Sequence, residues 1–329
     1  MKHRQLFMGI DVGSVSTNIV FMDENEEVVE KLYIRTQGQP IKVLQEGLKI
    51  MKKRLLPGDK VVGVGTTGSG RNLANMIVGA DIVKNEITAH GVAGLKERED
   101  ISTILEIGGQ DSKIIILRNG IIQDFAMNTV CAAGTGSFLD RQASRLNIPI
   151  EEFGKMALKS KNPVRIAGRC AVFAESDMIH KQQMGHNSED IIKGLCEALV
   201  RNYLSNVGKG KEIKPPILFQ GGVAANVGIK QAFEDALQQE VIIPKYFDVM
   251  GAHGAAILAK ENWEKTHETN FYGFDVINAN LQVKSFECID CSNQCEVVQF
   301  FSNGKVRGRW GDRCGKWSNL KETKEDLLA

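Results

Sequence analysis

The sequence predicts an α/β protein made of two duplicated lobes and a small cysteine-rich C-terminal extension. Three observations lead there. A strand, glycine turn, strand unit occurs twice: Ile10-Asp11-Val-Gly13-Ser14 running into Asn18-Ile-Val-Phe21, and Leu105-Glu106-Ile-Gly108-Gly109 running into Lys113-Ile-Ile-Ile116. In both, an acid closes an apolar strand, a glycine follows two residues later and an apolar strand resumes. Such distant self-similarity marks a repeated lobe and not a short-period solenoid. Strand and helix patterns then alternate after each unit, so two similar lobes facing one another across a cleft are expected. Beyond about residue 265 the chain becomes aromatic and turn-rich, and holds four of the seven cysteines. The 329 residues suffice for two or three compact domains. The expected boundaries are 1–98, 99–265 (with the last helix free to return onto the first lobe) and 266–329.

In order, Leu6-Phe-Met-Gly-Ile-Asp-Val12 reads as a buried strand and Gly13-Ser14-Val15-Ser16-Thr17 as a tight turn. Strands at 18–23 and 27–35 flank the polar turn Asp23-Glu-Asn-Glu26. A helix at 40–54 follows. The strand Lys60–Gly65 leads into the loop Thr66-Thr-Gly68-Ser-Gly70-Arg71, and a helix at 86–97 closes the lobe. The second lobe has strands either side of 108–111, the hairpin turn Arg118-Asn-Gly120 and a strand at 121–125. Helices at 135–146, 150–158, 171–184 and 188–207 come next. The strand Ile217–Gln220 then enters Gly221-Gly222-Val-Ala-Ala-Asn226 and a further helix. A short strand at 241–243 precedes the small-residue helix start Gly251-Ala-His-Gly254.

Composition excludes several classes. Hydrophobic residues at 43% and charged residues at 25% are those of a globular protein. A net charge of +1 gives no field for nucleic acid or anionic lipid, so neither is an expected partner. No apolar run approaches the roughly 20 residues of a membrane helix. Asp11 interrupts the first apolar run too early for a signal peptide. A cytoplasmic protein is expected, in which cysteines serve metal or redox chemistry more than disulfides.

Three glycine turns close strands, at 11–17, 106–113 and 219–226. Such turns let backbone N–H groups approach phosphate oxygens, and a following helix adds its positive end. Asp11 and Glu106 suit Mg²⁺ held through water, because Mg²⁺ dehydrates reluctantly. Gln110 is placed to orient an attacking water. No Gly-Lys-Ser/Thr follows any glycine loop, so the chain is not a Walker-type enzyme.

Two cysteines stand just before helix starts, in Asn128-Thr-Val-Cys131-Ala-Ala-Gly-Thr-Gly136 and in Gly168-Arg-Cys170-Ala-Val-Phe-Ala-Glu-Ser176. Helix N-termini favour negative charge and hence thiolates. Small buried core thiols would show the same spacing. A second group, Cys288-x-x-Cys291-x-x-x-Cys295 with Cys314, encloses Asn303-Gly304, a strong hairpin signal. A hairpin there returns Cys314 to the other three. Four thiolates suit either tetrahedral Zn²⁺ or an iron–sulfur cluster.

Asp11-Val-Gly-Ser14, Ile107-Gly-Gly-Gln-Asp-Ser-Lys113, the two cysteine motifs and Gly221-Gly-Val-Ala-Ala-Asn226 occur in that order. Together they resemble the ATP-dependent activators (archerases) of 2-hydroxyacyl-CoA dehydratases, the ATPase subunits of benzoyl-CoA reductase and the reductases of double-cubane cluster proteins. The resemblance covers about residues 6–262. It implies the fold of the acetate and sugar kinase, heat-shock chaperone and actin superfamily. It further implies a homodimer with one [4Fe–4S] cluster ligated by Cys131 and Cys170 of each copy. ATP or ADP is then expected on Gly13, Ser14, Val15, Ser16 and Thr17, on Gly108, Gly109, Gln110 and Asp111, and on Gly221, Gly222 and Asn226. An iron–sulfur dehydratase or reductase is the implied electron acceptor, and ferredoxin or flavodoxin the implied donor. Two departures stand out: Glu106 replaces the usual aspartate, and Asn18 stands where the closest activators carry lysine. The extension has no counterpart in the short activators.

ATP has a physical reason to be coupled to such a cluster. One electron moved to an acceptor ~200 mV below its donor costs about 4.6 kcal/mol, at about 59 mV per tenfold step. Two other functions fit the residues less fully. One is a small-molecule kinase of the same fold, which would not need Cys131 or Cys170. The other is a nucleotide-switched binding module with a structural zinc. Cys196 reads as a packed core thiol, His180 and His186 as surface or helix-end residues, and His253 as pocket or packing. Arg71 reads as a candidate phosphate or partner contact, and the basic residues at 52–54 as a solvated helix end.

Overall fold

The structure is a computed structural model that describes residues 4–318. The chain forms two compact units, one built from residues up to Glu86 and from Gly251 onward, the other from Ile87–Met250. In chain order the first unit opens with β1 (Gln5–Val12), β2 (Ser16–Met22), β3 (Val28–Arg35), α1 (Pro40–Lys52), β4 (Lys60–Thr67), α2 (Arg71–Val78) and β5 (Ile82–Val83). The second comprises α3 (Glu86–Glu97), β6 (Thr103–Ile107), β7 (Ser112–Arg118), β8 (Ile121–Asn128), α4 (Gly136–Arg145), α5 (Ile150–Ala157), α6 (Ala171–Gln183), α7 (Ser188–Asn206), β9 (Ile217–Gln220), α8 (Val227–Leu237) and β10 (Val241–Ile242). The chain then completes the first unit with α9 (Met250–Thr266), β11 (Leu281–Glu287), β12 (Glu296–Ser302) and β13 (Lys305–Trp310).

The duplication is visible strand by strand. The first sheet runs β3-β2-β1-β4-β5 and the second β8-β7-β6-β9-β10. In each, the first three strands pair antiparallel, and the last two lie parallel to the central one. Leu6, Phe7, Met8 and Ile10 of β1 are all buried, so apolar residues occupy successive positions of β1 instead of alternate ones. That is the pattern of a strand covered on both faces. Gly9 and Gly65 let α9 lie directly on this sheet: a Cβ at Gly9 would fall 1.8 Å from the Ala252 carbonyl oxygen, and one at Gly65 2.1 Å from that of Ala255. The small residues of α9 thus return the helix onto the first unit.

The division falls at 86/87 and not at 98/99, because Ile87 of α3 packs with Ile101, Ile104, Ile115, Leu117 and Leu218 of the second unit. The extension is likewise no separate body. Phe300 and Trp310 of its three-stranded sheet, with Phe271 and Phe274, join the core of Leu44, Leu48 and Ile77. A Cβ at Gly308 would lie 2.4 Å from Met76 Sδ, so β13 presses on α2. Helix α2 itself, ended by Gly79 at φ 69°, has no counterpart among the sequence expectations. Among the described residues, no helix is long and apolar enough to cross a membrane.

Candidate functional site

In the first unit Asp11 ends β1 between Asn18 of β2 and Thr67 of β4, its direct partners in the sheet. Gly68 runs against it at φ +90°; a Cβ there would lie 2.4 Å from Asp11 Oδ1. The 13–17 turn is closed by Gly13 N–H donating to the Ser16 carbonyl at 2.8 Å, and Ser14 is exposed at its tip. The Val15 carbonyl accepts the Thr36 N–H at 2.8 Å. The Thr17 hydroxyl is buried against that of Thr36 at 3.0 Å, so it braces the turn from below. Asn18 Oδ1, Thr66 Oγ1 and Thr67 Oγ1 are buried with no hydrogen-bond partner among the described residues. Unmatched buried oxygens are uncommon and call for a missing partner. Asn18 and Thr67 flank Asp11 in the sheet, and their unmatched oxygens fit a hydrated cation or a polar ligand edge.

In the second unit Glu106 and Lys113 face each other across β6 and β7. Lys113 Nζ donates to Glu106 Oε2 and to Asp111 Oδ2, each at 2.9 Å, while Lys113 and Glu106 are only 2% and 4% exposed. The carboxylate expected beside Mg²⁺ is therefore engaged by a lysine whose role sequence reasoning missed. The antiparallel register of a tight glycine hairpin was the available signal. Below this pair His90 Nδ1 meets Gln220 Nε2 at 2.8 Å. Burial, aided by the Lys113 charge, holds the His90 imidazole neutral, with its pKa lowered to about 3. Tyr203 Oη donates to the Lys113 carbonyl at 2.6 Å, and burial raises that phenol well above its usual range. Gln110, by contrast, is exposed at the tip of the turn.

The 221–226 turn belongs to the same place. Gly221, at φ +90°, packs so closely that a Cβ would lie 2.4 Å from the Ile107 carbonyl oxygen and 2.7 Å from Glu106 Oε1. Gly222 is exposed, and Asn226 Oδ1 caps α8 by accepting the N–H groups of Gly228 and Ile229 at 3.0 and 3.1 Å.

The Cys131 segment is tied to the Gly108-Gly109 turn. At the start of α4, Gly136 N–H donates to the Gly108 carbonyl at 2.9 Å and Ser137 N–H to that of Gly109 at 2.8 Å. Cys131 caps the short 132–134 turn before α4, and Asn128 grips it on both sides: Oδ1 accepts the Cys131 N–H at 2.9 Å and Nδ2 donates to the Cys131 carbonyl at 2.8 Å. Cys170 caps α6. The two cysteines are neighbours, since Cys131 Sγ lies 4.0 Å from the Arg169 carbonyl. Asn202 of α7 joins them by donating to the Gly168 carbonyl at 2.6 Å and to Cys131 Sγ at 3.7 Å. Both thiols are half-buried and unbridged. The surface beside them is apolar: Val130 is 93%, Val172 68% and Phe173 65% exposed. Cys196 is fully buried, and burial raises its thiol to about 12.

Two repeated α/β lobes with glycine turns at equivalent strand ends are the duplicated fold of an ATPase family. The chain belongs to the BadF/BadG/BcrA/BcrD ATPase family, whose profile it matches over residues 8–259. It is 31% identical over 256 residues to the (R)-2-hydroxyglutaryl-CoA dehydratase activating ATPase of Acidaminococcus fermentans, covering 77% of this chain and 96% of that one. It is 34% identical over 258 residues to the 2-hydroxyisocaproyl-CoA dehydratase activator of Clostridioides difficile, covering 77% and 94%. A benzoyl-CoA reductase component of Thauera aromatica is 27% identical over 273 residues, covering 78% and 94%. Among solved structures, the activator of the 2-hydroxyisocaproyl-CoA dehydratase from Clostridium difficile with bound ADPNP superposes with a TM-score of 0.72 at 31% identity, over 80% of this chain and 97% of that one. Component A of the Acidaminococcus fermentans (R)-2-hydroxyglutaryl-CoA dehydratase gives 0.71 at 30%, over 78% and 98%. The matched family region ends before the cysteine-rich extension.

Proposed function

We propose that the protein is an ATP-dependent one-electron donor to an iron–sulfur dehydratase or reductase. Two copies share one [4Fe–4S] cluster held by Cys131 and Cys170 of each. The observation that carries this is the cysteine pair itself: two unbridged, half-exposed cysteines on adjoining segments, each capping a helical turn, on an apolar surface. One chain presents two thiols there, and such a cluster commonly takes four. A two-fold, isologous contact supplies the other two and covers Val130, Val172 and Phe173. When bound, the cluster supplies a one-electron carrier at that contact.

The chain's own residues bind and position. In this reading the turns 13–17, 108–111 and 221–222 receive the nucleotide, Asp11 holds Mg²⁺ through water, and exposed Gln110 orients the attacking water. Glu106 is a positioning residue that fixes Lys113 and, through it, Asp111. The carbonyls of Gly108 and Gly109 are already held by the first amides of α4. A shift of this turn between ATP and ADP therefore displaces α4 and the segment that carries Cys131. Nucleotide drives that shift only as far as its affinities for the two arrangements differ. Ferredoxin or flavodoxin is the proposed electron source.

Anaerobic visible spectra, iron counts and native mass on wild type and Cys131→Ser test the reading. The variant loses about two irons per chain and part of the band near ~400 nm. Equal iron in both proteins, or a wild-type monomer, overturns it.

A further inference from the structure

The geometry points to a second metal centre outside the family region: a [4Fe–4S] cluster carried within a single chain by Cys288, Cys291, Cys295 and Cys314. The sheet brings all four to one end. Cys288 follows the last residue of β11 and Cys295 precedes the first of β12, where Glu287 and Glu296 are partners. The Cys288 N–H donates to the Cys295 carbonyl at 2.9 Å and the Gln294 N–H to that of Cys291 at 3.2 Å, which folds 288–295 into a closed loop. β13 leaves the sheet at the same end. Gly311, at φ +103°, lies so near β12 that a Cβ would be 2.3 Å from the Glu296 carbonyl oxygen.

The segment carrying Cys314 is then fastened across this loop. Lys316 pairs with Asp290. Trp317 Nε1 donates to Cys288 Sγ at 3.3 Å, and its ring packs edge-on against Phe286 at 5.0 Å. Cys314 is thereby held between Gly311, which lies on β12, and the Lys316 and Trp317 contacts to the loop of the other three cysteines.

The ligand set separates a cluster from a single ion. One tetrahedral Zn²⁺ needs its thiolates converging at about 2.3 Å from one point. Among the described residues, no three His, Cys, Asp or Glu side chains converge in that way. A cubane takes one thiolate at each of four iron corners, a ligand count that the four cysteines gathered at this sheet end supply. The surroundings suit a four-thiolate cluster of net negative charge. Trp317 offers a donor to sulfur, and Arg309, Arg313 and Lys316 lie on the strand and loop that bring Cys314 in. Arg309 Nε is buried with no acceptor among the described residues.

The centre does not depend on the shared cluster, and the deciding protein is the full chain carrying Cys131→Ser and Cys170→Ser, purified without oxygen. Iron, zinc and acid-labile sulfide are counted, and electron paramagnetic resonance is recorded after dithionite reduction. The expected result is about four irons and four sulfides per chain and a reduced-cluster signal, against about six irons in wild type. Adding Cys288→Ser or Cys314→Ser removes those four. A double variant with no iron, or with about one zinc and no sulfide, overturns the proposal, as does wild type with only about two irons. A wild type with four irons, all retained in the double variant, instead overturns the shared cluster and leaves this centre standing.

Discussion

Lys113→Met isolates the buried pair beneath the second glycine turn. Lys113 is 2% exposed, Glu106 is 4% exposed, and their charged atoms are 2.9 Å apart. Removing one member of such a pair leaves the other carboxylate without its nearest counter-charge and costs about 3–5 kcal/mol, whereas neutralising both is close to neutral. Asp111, whose side chain is 31% exposed, is screened by solvent and adds little. The single variant is thus expected to lose about 3–5 kcal/mol, and Glu106→Gln with Lys113→Met to recover most of it. With a urea dependence of about 2 kcal/mol per molar, the midpoint falls by roughly 1.5–2.5 M in the single variant. Equilibrium urea unfolding by circular dichroism reads this directly. A single-variant shift below about 0.5 M, or a double variant no more stable than the single, refutes the reasoning.

His90 has a folded pKa of about 3, set by burial and then by Lys113. The unfolded imidazole titrates near 6.5. Below that pH the unfolded chain binds the extra proton, so this contribution is full above about 6.5 and lost towards 3, at up to about 1.4 kcal/mol per pH unit. Wild type should lose stability faster than His90→Gln over that window, and parallel curves would reject the assignment. Phe173→Glu places a charge on the apolar surface beside Cys170; size-exclusion chromatography should show a monomer lacking about two irons per chain. Gly68→Ala forces a Cβ to 2.4 Å from Asp11 Oδ1 and should lower ATP turnover about tenfold or more, at about 1–2 kcal/mol of backbone strain. Gly120→Ala, also left-handed but with nothing within 4 Å, should leave turnover unchanged.

What the sequence disclosed was local. An acid, a glycine and an apolar strand repeat whether or not their lobes are ever seen together, so the duplicated sheets could be read. Asn-Gly turns announce themselves, and the hairpin at Asn303 and Gly304 has the expected φ of 50° and 83°. Helix α2 was hidden because eight residues carry barely two turns of periodicity and follow directly on a glycine loop. Pairings distant in sequence leave no local trace. Asn202 is 71 residues from the thiol it approaches, and an asparagine in the middle of a helix has no signature of that role. The docking of the extension was illegible for a similar reason: Phe300 and Trp310 alternate as in any exposed hairpin, and the core residues that cover them, Leu44, Leu48 and Ile77, lie more than 200 residues away in sequence. Glu106 is the instructive case. Its place at the strand end was legible, but not the lysine opposite, which changes its chemistry from open carboxylate to half of a buried pair.

In the proposed function, that pair lets one turn serve two tasks. A phosphate-binding turn must keep its amides free, so its carbonyls and flanking side chains must be held by something else. Here Lys113 holds the acids at either end of the turn, Gly221 packs against its strand, and the α4 amides occupy the carbonyls of Gly108 and Gly109. The Gly108 N–H closes the turn on the Asp111 carbonyl at 3.0 Å, so outward-facing capacity is left to the other turn amides and Gln110. The residues that stiffen the turn on its inner side are therefore those that connect it to Cys131. In the proposed function, a nucleotide sensed at 108–111 need not move a domain to reach the thiol. It has only to shift two hydrogen-bonded amides at the head of a helix whose preceding residues carry the cysteine.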